Sequence, residues 1–121
     1  MKHKTEYLLT IRHELSNQDI AKHNAKTVYA IARNIRKLEP IATKFDADRS
    51  EALKDEWFKK YSGMEDKEKA NETYKVELAE LEKEIKDLLE VEVEFDFYQI
   101  TIDDVSFEGR DVVKFMDLIK E

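Results

Sequence analysis

The chain has 121 residues, of which 40% are charged and 41% apolar, with a net charge of −7 and no cysteine. That balance excludes a disordered chain, disulfides and thiolate metal sites, and two glycines with one proline argue against a loop-rich or all-β fold. No apolar run reaches the roughly 18 residues of a membrane span, and the N-terminal apolar patch is too short for a signal peptide.

The charge is unevenly spread. Residues 1–44 carry nine Lys/Arg against four Asp/Glu, and residues 45–121 carry twelve against twenty-four. A chain polarised in this way can meet an anionic partner at one end and repel it from the other. General nucleic-acid binding is therefore not expected.

In chain order, "TEYLLTIRHEL" predicts a helix over about residues 5–15, with Leu8, Ile11 and Leu15 on one face and Thr5 as its cap. A strand carrying Tyr7, Leu9 and Ile11 is the alternative. "NAKTVYAIARNIRKLEPIATKF" holds the clearest periodicity: Val28, Ile31, Ile35, Leu38, Ala42 and Phe45 recur three and four apart. It predicts a long helix over about 25–61, capped by Asn24 and bent near Pro40, where a backbone donor is lost. "YSGMED" supplies a stop. A further helix over about 67–90 aligns Tyr74, Leu78, Leu81, Ile85 and Leu88. Two striped helices joined by a short link predict an antiparallel hairpin with a coiled-coil-like seam.

"VEVEFDFYQITI", residues 91–102, then alternates as a strand. Val91, Val93, Phe95 and Phe97 share one face, opposite an acidic row of Glu90, Glu92, Glu94 and Asp96. The phase slips before Tyr98, Ile100 and Ile102, which marks a bulge or a turn. A short helix over about 110–120, with Val112, Val113, Met116 and Ile119 on one side, closes the chain. The expected fold is one mainly α domain over 1–121, with a long antiparallel helical hairpin, a C-terminal strand segment and a short closing helix.

A lone strand leaves its backbone groups unpaired, and an apolar edge recruits another chain. With the first segment helical, the expected partner is a second copy. A homodimer or higher even assembly through Val91, Val93, Phe95, Phe97, Ile100 and Ile102 follows. Pairing with residues 7–11 of the same chain is what a strict monomer would imply.

Candidate sites are few. His3, His13 and His23 lie ten apart, which is not ligand spacing on a helix, so no metal is expected. Asp103, Asp104, Glu108 and Asp111 read as turn and helix-start residues before they read as cation ligands. "EWFKKY" gathers Trp57, Phe58 and Tyr61 near the hairpin tip, where Trp57 is a candidate anchor for a partner. No nucleophile–base order, phosphate loop or paired-carboxylate motif is present, so neither catalytic residues nor cofactors are expected. One set stands out. Lys22, Lys26, Tyr29, Arg33 and Arg36 fall four, three, four and three apart, a second stripe that runs into the 25–61 helix, roughly 160° from its apolar face. Its plain role is a solvated helix face. Its functional role is an anion or partner site, with Tyr29 available to stack.

The succession "TVYAIARNIRKLEPIATKFDADRSEAL", "YKVELAELEKEIKDLLEVEVEFDFYQITIDDV" and a final short apolar helix resembles a group of small proteins encoded by bacteriophages and prophages. The resemblance runs from about Lys26 onward, and members share a basic tyrosine-bearing helix, a long hairpin partner, a strand and a closing helix. It implies the same fold and a viral context, in the cytoplasm of an infected bacterium, and it transfers no catalytic residues. The expected function is a non-enzymatic protein-binding module acting on a host defence complex or in phage assembly. A nucleotide-sequestering protein using the basic helix face is the alternative.

Overall fold

A computed structural model describes all 121 residues. In chain order the elements are β1 (Lys2–Lys4), α1 (Thr5–Ser16), α2 (Ala25–Ala52), α3 (Glu56–Gly63), α4 (Lys67–Thr73), α5 (Lys75–Glu90), β2 (Glu92–Glu94), β3 (Ile100–Thr101), α6 (Arg110–Lys114) and β4 (Ile119–Lys120). The fold is mainly α with a small β element. The chain forms two compact units, one of Met1–Ala42 with Glu92–Glu121 and one of Thr43–Val91.

In the first unit, α1 buries Leu8, Ile11 and Leu15 as its spacing demands. Its cap differs from expectation: Lys4 precedes the helix without a side-chain cap, and Thr5 lies buried inside the first turn. α2 begins as expected, the Asn24 Oδ1 accepting the Thr27 N–H at 2.8 Å. The buried face of α2 is Thr27, Ala30, Ile31, Asn34, Leu38 and Ala42. Ile31 and Leu38 meet the α1 leucines and a C-terminal set of Phe95, Phe107, Phe115 and Leu118 in one core. Each such side chain contributes about 1.5–3 kcal/mol on burial. The apolar stripe of α2 therefore closes on α1 and the C-terminal aromatics, where a seam with the 67–90 helix was expected.

The strand of residues 91–102 finds its partner within the chain, at the extreme N-terminus. β1 and β2 pair antiparallel with Lys2 opposite Glu94, His3 opposite Val93 and Lys4 opposite Glu92. Phe95 extends the ladder, its N–H donating to the Met1 carbonyl at 3.0 Å. The expectation of strand pairing with a second copy loses its premise, and the partner lies upstream of residues 7–11, which are helical. Six of the ten residues in "MKHKTEYLLT" carry a charge or a hydroxyl group, and a three-residue strand is too short to leave a period-2 signature. Phe95 and Ile100 are buried and Val93 and Phe97 half-buried in the chain's own core, while Val91 and Ile102 remain exposed.

The slip in phase has a specific cause. Asn34, fully buried on α2, accepts the Tyr98 N–H at 2.8 Å and donates to the Tyr98 carbonyl at 2.9 Å. Its Nδ2 also donates to the Ala30 carbonyl at 2.8 Å. The amide thus replaces a neighbouring strand at Tyr98, between β2 and β3. β3 then pairs in parallel with β4, Ile100 opposite Ile119 and Thr101 opposite Lys120.

Two further boundaries differ. α6 ends at Lys114, where a helix to about residue 120 was expected. Phe115 and Leu118 are both fully buried, and a 3-10 turn between them delivers Ile119 to β3. α6 starts after Gly109, whose φ of +57° suits a residue without a Cβ.

In the second unit, residues 43–52 of α2 continue toward α3, which lies antiparallel to the α4–α5 stretch. Asp48 and Ala52 line one hollow with Glu84 and Leu88, while Trp57 and Tyr61 contact Tyr74 further down. The expected 25–61 helix runs unbroken through Pro40 and breaks instead at residues 53–55. Pro40 and Arg36 are both exposed, so water can satisfy the carbonyl that the proline leaves without a donor. The expected 67–90 helix is interrupted at Tyr74 (φ −109°, ψ 27°), whose ring is engaged by Trp57 and Tyr61. Trp57 is half-buried in this aromatic cluster with Phe58, at 5.6 Å between ring centroids. It does not stand free as an anchor.

Candidate functional site

Lys26, Tyr29 and Arg33 fall three and four apart along α2 and share an exposed face. The Asn34 clamp brings residues 98–101 alongside that face. The Tyr29 and Tyr98 rings meet edge to face, with centroids 5.4 Å apart and planes at 78°. The Arg33 guanidinium lies 5.3 Å from the centre of the Tyr98 ring, and it donates to the Tyr29 hydroxyl at 3.4 Å. Beside this trio opens a cleft of about 400 Å³, lined by Lys26, Tyr29, Tyr98, Gln99, Ile100, Thr101, Asp104 and Lys120. Lys120 arrives from β4 because Thr101 pairs with it across the parallel ladder.

Charge in the cleft is mixed but mainly positive. Lys26 pairs with Asp104 at 3.1 Å, with both side chains well exposed at 67% and 39%. An exposed pair of this kind is weak and screened by salt, so an incoming anion competes on nearly equal terms. The donors facing the cleft are the ammonium groups of Lys26 and Lys120 and the Thr101 hydroxyl, beside the Gln99 amide, which also donates to the Asp117 carbonyl at 3.1 Å. Tyr29, 53% exposed, offers a ring face to solvent. Such a wall of donors beside two aromatic rings suits a carboxylate or phosphate carried on an apolar or planar group.

The structure divides the basic stripe. Lys26 and Tyr29 enter the cleft and Arg33 braces its wall, whereas Arg36 stands exposed outside the lining. Lys22 faces a different hollow of about 560 Å³, lined also by Gln18, Asp19, His23, Ser106, Glu108 and Asp111. Tyr98, Gln99, Thr101 and Lys120 were missed from sequence, since only the strand pairing and the Asn34 clamp carry them to α2. One signal was available: Asn34 interrupts an apolar helical face, and a buried amide must find backbone partners.

His23 is a structural bridge. Its Nδ1 lies 2.8 Å from the Ser106 hydroxyl and its Nε2 3.0 Å from the Gln18 side-chain oxygen. Ser106 Oγ also accepts the Asn24 N–H at 3.2 Å, and its own N–H donates to the buried Thr27 hydroxyl at 3.0 Å. A neutral imidazole with the proton on Nε2 satisfies this set, donating to Gln18 and accepting from Ser106. Together with the Asn24 side chain, which donates to the Asp104 carbonyl at 2.8 Å, these bonds fasten residues 104–106 to the start of α2. Of the acidic cluster, Asp104 pairs with Lys26, and Asp111 with Lys114 at 3.8 Å. No group of three His, Cys, Asp or Glu side chains is placed to hold a metal ion, and no helix is long and apolar enough to cross a membrane.

No protein-family model matches the chain, and no curated protein or solved structure matches it.

Proposed function

We propose that the chain is a non-enzymatic binding module that works by occupying a surface of another protein, and that the Tyr29–Tyr98 cleft is its contact. One observation carries this reading: Lys26, Arg33 and Lys120 surround a pair of part-exposed tyrosines, with Asp104 as the one opposing charge in the lining. Aromatic and arginine side chains are the groups that dominate protein contacts. The excess of cations selects an acidic segment as the partner's contribution. The resemblance to phage-encoded proteins directs the search to host defence complexes and phage assembly components.

The test compares the wild-type chain with the Arg33→Glu/Lys120→Glu double variant as baits, followed by reconstitution of the captured protein in pure form. The expected result is a partner bound by the wild type and lost by the variant, at an unchanged melting temperature. Equal binding by both baits would remove the cleft from the interface. A nucleotide is the second reading, favoured by a cleft volume within the range of small-ligand sites and by the tyrosine faces. Absorbance at 260 nm in the purified protein, released on denaturation, would favour it.

A further inference from the structure

We infer that Asp104 is a built-in competitor for the ligand of the cleft: its carboxylate occupies Lys26 until the partner's own acidic group displaces it. The inference rests on the acidic-segment reading above and goes beyond it, by naming the group that limits affinity. Asp104 is held in place, not merely nearby. Its carbonyl takes the Asn24 amide at 2.8 Å, and two residues on, Ser106 is bound through its N–H to Thr27 and through its hydroxyl to His23 and the Asn24 N–H. Thr27 is fully buried, so the loop is anchored to an immobile point of α2. The carboxylate is thereby presented to Lys26 at 3.1 Å as a ligand's would be.

Such a competitor weakens binding of any anion that contacts Lys26, since each must displace a pre-placed carboxylate. The Asp104→Asn variant removes the charge while leaving the backbone carbonyl that Asn24 binds. Asp103, its neighbour in a 3-10 turn of Ile102–Asp104, is exposed and outside the cleft lining, so Asp103→Asn makes the same change in net charge without touching Lys26.

The experiment titrates a fluorescein-labelled hexaglutamate peptide by anisotropy, at low salt, into the wild type, Asp104→Asn, Asp103→Asn and Arg33→Glu/Lys120→Glu. Melting temperatures are measured alongside, with Asp104→Ser as a second variant should Asn disturb the turn. The expected result is binding about two- to fivefold tighter for Asp104→Asn than for wild type, the range set by an exposed ion pair. Asp103→Asn should match wild type, and the gain should vanish in about 0.5 M salt. Wild-type binding that Asp104→Asn leaves unchanged, or a gain equalled by Asp103→Asn, overturns the competitor and spares the cleft. Binding by neither the wild type nor the Arg33→Glu/Lys120→Glu variant, with Asp104→Asn also silent, overturns the acidic-segment reading itself.

Discussion

Asn34 shows how one side chain can decide the path of a distant segment. Its position on the apolar face of α2 leaves its amide no water, and it takes three backbone partners, two of them on Tyr98, 64 residues away. Replacing it by alanine leaves the Tyr98 N–H and carbonyl without their partner in a part-buried setting. Asn34→Ala is expected to cost about 2–4 kcal/mol, the sum of a lost pair and its desolvated remnants. Urea unfolding followed by circular dichroism measures it, and a cost below about 0.5 kcal/mol would mean that Tyr98 is held otherwise. Asn34→Asp keeps the acceptor for the Tyr98 N–H but places a charge in a fully buried site, and should be worse at neutral pH. Because Tyr98 forms a wall of the cleft, either change should also weaken the binding proposed for it.

At the scale of elements, the charges on β1 and β2 set the register. Lys2 faces Glu94 and Lys4 faces Glu92, while His3 and Val93 turn inward between them. A slip by one residue would bury lysine and expose Val93, so pattern and charge agree on one alignment. Lys2→Glu/Lys4→Glu places like charges directly opposite each other. It is expected to lower the melting temperature by roughly a few degrees at low salt, with most of the loss recovered in about 0.5 M salt. Insensitivity at low salt would show that these cross-strand pairs contribute nothing to the sheet. The same double change should raise the exchange rate of the Phe95 amide, which donates to Met1 at the end of the ladder.

The whole molecule uses its uneven charge for closure. The basic N-terminal stretch does not remain a cationic pole: the unit of Met1–Ala42 with Glu92–Glu121 holds eleven Lys/Arg against thirteen Asp/Glu. Its pairs join distant segments, as in Lys26 with Asp104 and Lys114 with Glu14 at 3.0 Å. The longest such link is neutral on one side. The Tyr7 hydroxyl donates to the Asp117 carboxylate, and burial first, then that hydrogen bond, pushes the phenol well above its ordinary value of 10.0. A folded-state value raised above the unfolded one contributes stability that is present below about pH 10 and lost as pH climbs beyond it. Ionising Tyr7 would set two anions against each other between the first helix and the last turn. Tyr7→Phe should therefore be less stable than wild type at pH 8, with the gap narrowing steadily above pH 10. Parallel stability curves through that range would show that Tyr7 titrates alike in the folded and unfolded chains.

Local regularities were legible without the structure. The stripes of α1 and α2, the Asn24 cap and the alternation in β2 follow from spacings of three, four and two, which short-range geometry imposes on any apolar face that must be buried. The basic face of α2 was legible for the same reason, which is why Lys26, Tyr29 and Arg33 stand together on one exposed side. Pairing was not. Whether Ile31 and Leu38 would meet α5 or α1 cannot be read from periodicity, because every stripe of leucine and isoleucine fits another equally well. Nor does a three-residue strand such as β1 announce itself. Tertiary contact alone decided that the N-terminus closes on residues 92–94, that a buried amide stands in for a strand at Tyr98, and that Lys120 arrives in the cleft through its parallel pairing with Thr101. Those choices depend on which groups remain unsatisfied once the helices have formed, and that is a property of the folded chain rather than of any one segment.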